Sequence, residues 1–301
     1  MAAVEAVRHY GQRQNYMTYL VLGSAGQIGS ALCDFLRKTG HNVIEFDIAS
    51  DPEEDLRVNA TLLERRMLKA DFVFFLAFDV GGSRYLKTYQ GSYDFISNNV
   101  KIMNTGFEVL KKLNKPFLFA SSQMANMSHS SYGVLKALGD FYTRVLNGLV
   151  VKFWNVYGVE RDSKKFHAIT DFVMMAKSKG CIKLLTTGIE TRQFLYAEDC
   201  CAALYLLSQP SLYDTISREE NLHITSFKWH TIIDVAMIVA QQFGVQVVAG
   251  QEQDSVQQFQ KNEPNPSIQK YWKPTTSLED GIKKVIMEMA RPVSGSTTLG
   301  E

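Results

Sequence analysis

The 301-residue chain predicts an α/β fold: a doubly wound parallel sheet followed by a small C-terminal α/β cap. Two observations place the sheet. Short apolar runs recur through the first half and alternate with stretches of helical periodicity, the pattern of parallel strands joined by crossover helices. The first run opens directly onto a glycine-rich turn and then a helix. A third observation places the cap. Beyond residue 158 the elements are shorter and too few to make an independent fold.

Composition narrows the function. Hydrophobic residues are 46% and charged residues 21%, and 32 basic against 31 acidic side chains leave a formal charge of +1. Bulk charge therefore supplies no nucleic-acid surface. No apolar run reaches membrane-spanning length, and no signal-peptide core opens the chain, so a cytoplasmic protein without membrane or nucleic-acid partners is expected. Cys33, Cys181, Cys200 and Cys201 have neither zinc-ligand nor disulfide spacing. They read as buried free thiols in a reducing compartment, and no metal site is expected. Residues 1–16 read as a flexible extension and residues 291–301 as a disordered tail.

Tyr19-Leu20-Val21-Leu22 suits a strand buried on both faces. Gly23-Ser24-Ala25-Gly26-Gln27-Ile28-Gly29 follows, then helical periodicity from Ser30 to Leu36. Strand, glycine turn and helix make a phosphate cradle, because a helix N-terminus presents N–H groups and a positive dipole end. Gly23 permits the tight turn, Gly26 lets a pyrophosphate approach the backbone, and Gly29 lets helix pack on strand. The spacing is G-x-x-G-x-x-G rather than G-x-G-x-x-G. Asn42 to Asp47 is a second strand. Asp47 closes it where a carboxylate meets an adenosine ribose, and it would repel a 2′-phosphate, so NAD is expected over NADP. Asp55-Leu56-Arg57 leads into a helix over Thr61 to Leu68.

Phe72 to Ala77 is a third strand. Its exit, Phe78-Asp79-Val80-Gly81-Gly82, falls at a carboxyl end, where parallel sheets bind ligands. Ser92 to Leu113 has a long helical pattern containing Asn98-Asn99. Pro116 to Ala120 is a strand that ends in Ser121-Ser122-Gln123. Tyr132 opens a helix to about Leu146, and Leu149 to Phe153 is a further strand ending at Trp154-Asn155-Val156-Tyr157-Gly158.

Tyr132 and Lys136 stand one helical turn apart and so point the same way. A cation beside a phenol favours the phenolate and lowers its pKa from about 10. Tyr132 is thus a candidate base for a sugar or alcohol hydroxyl, with Lys136 as its tuner.

In the second half, Phe166, Ile169, Phe172, Val173 and Ala176 share one side of a helix over Phe166 to Lys179. Lys164 and Lys165, just before it, are candidates to meet a diphosphate. Ile182 to Leu185 is a short strand. Arg192 is the stronger phosphate candidate, since guanidinium pairs with phosphate bidentately. Asp199 is placed to cap a helix over Ala202 to Leu207. Leu222 to Thr225 reads as a strand, Thr231 to Phe243 as a helix, Gln251 to Pro266 as a mobile polar loop, and Ser277 as the cap of a helix over Leu278 to Met289.

Gly23-x-x-Gly26-x-x-Gly29, Asp47, Asp55-Leu56, Ser121-Ser122, Tyr132-x-x-x-Lys136 and Asn155-Val156-Tyr157-Gly158 occur in this order. Arg192 to Asp199 and Trp272 to Gly281 continue the series, so it covers about Met17 to Met289. The chain resembles the extended short-chain dehydrogenases/reductases, in particular the NAD-dependent nucleotide-sugar epimerases and dehydratases. The resemblance implies a Rossmann-type NAD domain over residues 17–158 with returning segments near 190–225, and a substrate cap mainly over 159–290. It implies that Ser122 orients the reacting hydroxyl, Tyr132 is the acid/base and Lys136 holds the nicotinamide ribose, with Asn99 beside it. Gly23, Gly26, Gln27, Ile28, Gly29, Asp47, Asp55, Leu56, Leu76 and Ala77 would complete the NAD site. Asn155 would meet the sugar-phosphate side and Arg192 the diphosphate, with Gly81, Gly82 and Gln123 also on the substrate side; Asp79 to Gly82 is similar to the D-M-G-G loop of GDP-mannose epimerases.

The chain also departs from its relatives. Gln123-Met124 stands where dehydratases carry Asp-Glu, and no Cys follows Ser122. The segment from Ser122 to Tyr132 is short, and His129 within it could reach a substrate. The resemblance implies a GDP-, UDP- or dTDP-linked sugar as substrate. The first expectation is epimerisation through a transient 4-keto sugar. Net oxidation or reduction at C4 is the alternative, and a non-catalytic NAD binder a distant third. A homodimer through the helices at 92–113 and 132–146 is the family expectation.

Overall fold

A computed structural model describes residues 16–160, 162–254 and 262–290. The extension expected over 1–16 lies outside the described residues except for Tyr16, as do the tail over 291–301 and residues 255–261 of the polar loop.

The central sheet has six parallel strands among the described residues: β1 (Thr18–Leu22), β2 (Asn42–Phe46), β3 (Phe72–Phe75), β4 (Phe117–Ser122), β5 (Leu149–Phe153) and, from far along the chain, Leu222–Ile224. Their order is β2-β1-β3-β4-β5 with Leu222–Ile224 at the edge. Each strand is apolar on both faces because both faces are covered. Tyr19 and Val21 enter one core, with Phe72 and Phe74 beside them. Leu20 and Leu22 enter the other, with Val73 and Phe75. Burying a side chain of this size stabilises the fold by roughly 1.5–3 kcal/mol. α1 (Gln27–Lys38) covers the first face; α2 (Ala60–Leu68) and the long α4 (Tyr93–Leu113) cover the second. Between β3 and α4 lies α3 (Ser83–Tyr89), a short helix absent from the sequence reading. α5 (Ser131–Val145) joins α2 and α4, its Ser130 N-cap accepting from the Gly133 N–H at 3.2 Å. This is the Rossmann-type arrangement.

After β5 the chain leaves the sheet. Asn155–Tyr157, expected as a strand exit, is itself a strand, β6, in a second sheet. α6 (Ala168–Lys179) starts two residues later than its apolar pattern suggested, so Phe166 precedes it. β7 (Cys181–Lys183) follows, then β8 (Thr191–Tyr196) and α7 (Ala197–Leu207), which packs back on the first face beside α1. α8 (Pro210–Tyr213) leads to the edge strand, β9, and then β10 (Trp229–Thr231), α9 (Ile232–Phe243) and β11 (Gln246–Val248) complete the smaller sheets β10-β8-β6 and β11-β7. α10 (Leu278–Ala290) closes the described chain. α6, α9 and α10 share a third core with Phe194 and Tyr196 of β8.

Asp199 corrects an expectation. It lies inside the first turn of α7, not at its cap. Its carboxylate, 1% exposed, accepts from the backbone N–H groups of Thr275 and Thr276 at 3.1 and 2.7 Å and from both their hydroxyls. Cys33, Cys200 and Cys201 are buried free thiols, and burial pushes Cys33 up to about 12; Cys181 is part-exposed. Among the described residues no helix is long and apolar enough to cross a membrane, and no cluster of three His, Cys, Asp or Glu could hold a metal.

Candidate active site

The carboxyl ends of β1 to β5 open on a cavity of about 540 Å³. One end is the glycine turn. Gly23 has φ +85°, and a Cβ there would sit 2.7 Å from the Ala77 nitrogen. A Cβ on Gly29 would lie 2.0 Å from the Gly23 carbonyl oxygen. Gly26 occupies the N-cap of α1 without a capping side chain, so Gln27 and Ile28 offer their backbone to the cavity they line. The Gln27 carboxamide, oriented to satisfy both neighbours, donates to the Val156 oxygen and accepts from the Gly158 N–H.

Asp47 lines the cavity just past β2. Its carboxylate accepts from the N–H of Ala25 at 2.9 Å and of Ala49 at 2.8 Å, so it also fastens the glycine turn. Asp55 holds Arg57, Nη2 to Oδ2 2.8 Å, and this bond keeps the Asp55 carboxyl below its ordinary range. Leu56, Leu76 and Ala77 line the cavity. Asn99 does not. It is fully buried, accepting from the Asp79 N–H at 2.7 Å and donating to the Asp79 and Phe95 carbonyls. It shapes the β3 exit from behind, and its neighbour Asn98 faces the cavity.

Ser122, Tyr132 and Lys136 meet at the middle. Ser122 ends β4 and faces the Tyr132 phenol, while its Oγ accepts from the Met124 N–H at 3.1 Å. Lys136 lies one turn beyond Tyr132. Its Nζ donates to the Ala120 carbonyl at 2.6 Å and sits 3.7 Å from the Phe78 ring centre and 5.9 Å from that of Tyr132. Burial overturns the expected tuning. It raises Tyr132 to about 12, only partly opposed by Ser122, and lowers Lys136 to about 7, against the Asp140 charge. The desolvation of each group outweighs the influence of one on the other.

The far end is built from side chains. Asp79 Oδ1 accepts from the Tyr85 hydroxyl at 2.6 Å and from Lys165 at 3.2 Å. Burial would raise Asp79, but these partners hold it below the usual carboxylate range. Glu160 accepts from the His167 backbone at 2.8 Å and lies 2.6 Å from its Nδ1. Gly81, Gly82, Gln123 and Asn155 all line this part, and a Cβ on Gly82 would meet the Phe166 oxygen at 2.3 Å. Gln123 is gripped by Asn262, which donates to its backbone and side-chain oxygens.

Arg192 is not in the lining: its guanidinium is taken by Asp254 and by the Thr191 carbonyl. Lys164 and the exposed His129 are also outside. Phe78, Arg57, Glu160 and His167 line the cavity without having been singled out, and only the seven-residue spacing of Glu160 and His167 around a charged loop hinted at their pairing.

Over residues 19–212, well over half its length, the chain matches the NAD dependent epimerase/dehydratase family. The chain belongs to that family. Its cofactor is NAD, and the glycine turn and the uncapped start of α1 fit a pyrophosphate, because backbone N–H groups at the helix N-terminus are left without a capping side chain beside the cavity. A GDP-L-fucose synthase from Sinorhizobium fredii is 31% identical over 147 residues, 43% of each chain, so the match spans less than half of that relative. An epimerase from Methanothermobacter thermautotrophicus superposes with a TM-score of 0.77 at 20% identity over 95% of both chains. The UDP-glucose 4-epimerase of Thermotoga maritima, solved with UDP-glucose, gives 0.71 at 19% identity over 91% of this chain and 98% of its own. Likeness at these identities shows a shared fold.

Proposed function

We propose that the protein is a nucleotide-sugar epimerase acting through a transient 4-keto sugar. The observation that carries this is the meeting of Ser122, Tyr132 and Lys136 midway along one cavity, between a glycine cradle and a polar pocket. Tyr132 takes the proton from the sugar hydroxyl that Ser122 orients, and returns it when the ketone is reduced. Bound NAD supplies the place where hydride is kept between the two steps. Gln123, an amide, stands where an acid would be needed to expel water, so dehydration is disfavoured. On the substrate side Lys165, not Arg192, is the cation that faces a diphosphate.

Exposed apolar residues on α4 and α5 support a homodimer through these helices: Tyr93 is 81% exposed, Phe141 66% and Val145 82%. Light scattering of the purified protein tests this, and a monomer at micromolar concentration rejects it.

The reaction is tested by denaturing the protein, identifying released cofactor, and then assaying UDP-, dTDP- and GDP-sugars for C4 inversion. Inversion without added coenzyme supports the epimerase. Net appearance of NADH with an oxidised sugar supports the dehydrogenase instead.

A further inference from the structure

The helix face that carries Tyr132 and Lys136 continues to a third polar residue. Asp140 lies one turn beyond Lys136, on the same side of α5. It is 4% exposed, and Lys152 Nζ approaches its Oδ2 at 3.8 Å. Beneath it the sheet carries a polar rung. Ser121 of β4 is in register with Lys152 of β5, and Lys152 with His223 of β9. Residues in register on parallel strands point to one face. Their neighbours Leu118, Val151 and Leu222 point into the opposite core. Ser121, Lys152 and His223 therefore stand side by side beneath α5.

This rung is an expensive way to fill a core. Asp140 Oδ1, Ser121 Oγ and His223 Nε2 are buried without a hydrogen bond among the described residues, although the Ser121 hydroxyl faces the Asp140 carboxylate. His223 Nδ1 accepts from Trp154 Nε1 at 3.1 Å, and Trp154 lines the cavity. Burial lowers His223 to about 4, helped by the Lys152 charge, so the imidazole is neutral. Apolar side chains of similar size would cost less here if packing were the only requirement.

The polar layer answers a need of Lys136. Facing its Nζ are the Ala120 carbonyl, the rings of Phe78, Phe119 and Tyr132, and the charge of Asp140. Facing Asp140 are Ser121, Lys152, Arg144 and Lys136. Burial raises the Asp140 carboxyl, and Ser121 and then the Lys152 charge oppose that rise; the carboxylate is in turn the anion that favours the protonated form of the desolvated Lys136.

We propose that Asp140 is a positioning residue for the catalytic pair, holding Lys136 as an ammonium beside Tyr132, with Lys152, Ser121 and His223 as the layer that supports its charge. This rests on Lys136 being the partner of Tyr132 in proton transfer.

Lysine labelled with ¹³C at Cε reports the titration of each ammonium by NMR, and the signal missing from Lys136→Met assigns Lys136. In the unsubstituted protein that signal titrates near pH 7. In Asp140→Asn its midpoint falls by about one unit, roughly a tenfold drop in the ammonium-to-amine ratio at pH 7. Asp140→Glu keeps the midpoint near that of the unsubstituted protein. The double variant Asp140→Asn/Lys152→Met removes both buried charges together, which cores tolerate better than loss of one, and shows the same fall. It keeps the test open if Asp140→Asn folds poorly. An unchanged midpoint in either folded variant overturns the proposal. The titration needs neither substrate nor turnover, so its failure is distinct from failure of the epimerase assay.

Discussion

At the glycine end of the cavity backbone meets backbone, while at the Lys165 end side chain meets side chain. A Cβ on Gly23 or Gly29 would meet backbone atoms at 2.7 and 2.0 Å, so neither position admits a side chain. The opposite end is laced by Lys165 to Asp79 and Glu160 to His167. The first construction admits one ligand geometry. The second depends on charge, so single substitutions can shift its preference while the sheet stays intact. A conserved-chemistry cofactor suits the first, and a variable sugar suits the second.

The largest effect belongs to the junction of the two ends. Tyr132→Phe is expected to lower turnover about 10³-fold while NAD affinity stays within about twofold, read by product formation and by equilibrium binding. Full activity would sink the mechanism. Gly29→Ala strikes the steric end. Its Cβ displaces the Gly23 carbonyl, so NAD affinity should fall at least about tenfold and urea stability by about 1–3 kcal/mol. Unchanged NAD titrations would show that this cradle bends.

Lys165→Ala tests the charged end. It should raise the KM for a nucleotide sugar about tenfold, with a weaker dependence on salt, and leave NAD binding alone. Arg192→Ala should do the reverse of what the sequence implied: about 1–3 kcal/mol less stability from loss of its ion pair with Asp254, and little change in KM. If Arg192→Ala rather than Lys165→Ala raises KM, the assignment of the diphosphate to Lys165 fails.

The last test is a slope. Burial holds Lys136 at about 7 when folded, below its unfolded value of about 10.4. Between those values the unfolded chain binds more protons, so this group makes stability rise with pH from about 7 upward, and its penalty is full below about 7. Urea melts at pH 7 and 9 should show the unsubstituted protein gaining on Lys136→Met. A loss would reverse the sign assigned to burial.

What the sequence made legible follows the same division. The glycine turn, Asp47 and the order of Ser122, Tyr132 and Lys136 were readable because local backbone and helix geometry place them. Asn99 and Asn98 were not separable, since adjacent helix positions diverge by about a quarter turn and only packing decides which is buried. Arg192 had suitable chemistry, but Asp254, 62 residues later, claims it. The sign of the Tyr132 shift was misjudged because spacing reveals a neighbouring charge and says nothing of desolvation. The three-residue β6 was too short to show a period.

The Asp199 carboxylate ties the beginning of α7 to Thr275 and Thr276, some 76 residues downstream. A nascent chain that has emerged only through α7 carries the nucleotide sheet's covering helix with that anion still lacking its four donors. Hiding it in apolar surroundings is then costly, and the helix docks fully only when Thr275 and Thr276 arrive. Synthesis through Thr276 thereby becomes a condition for locking the first half, and chains cut short before Thr275 are left for quality control to recognise.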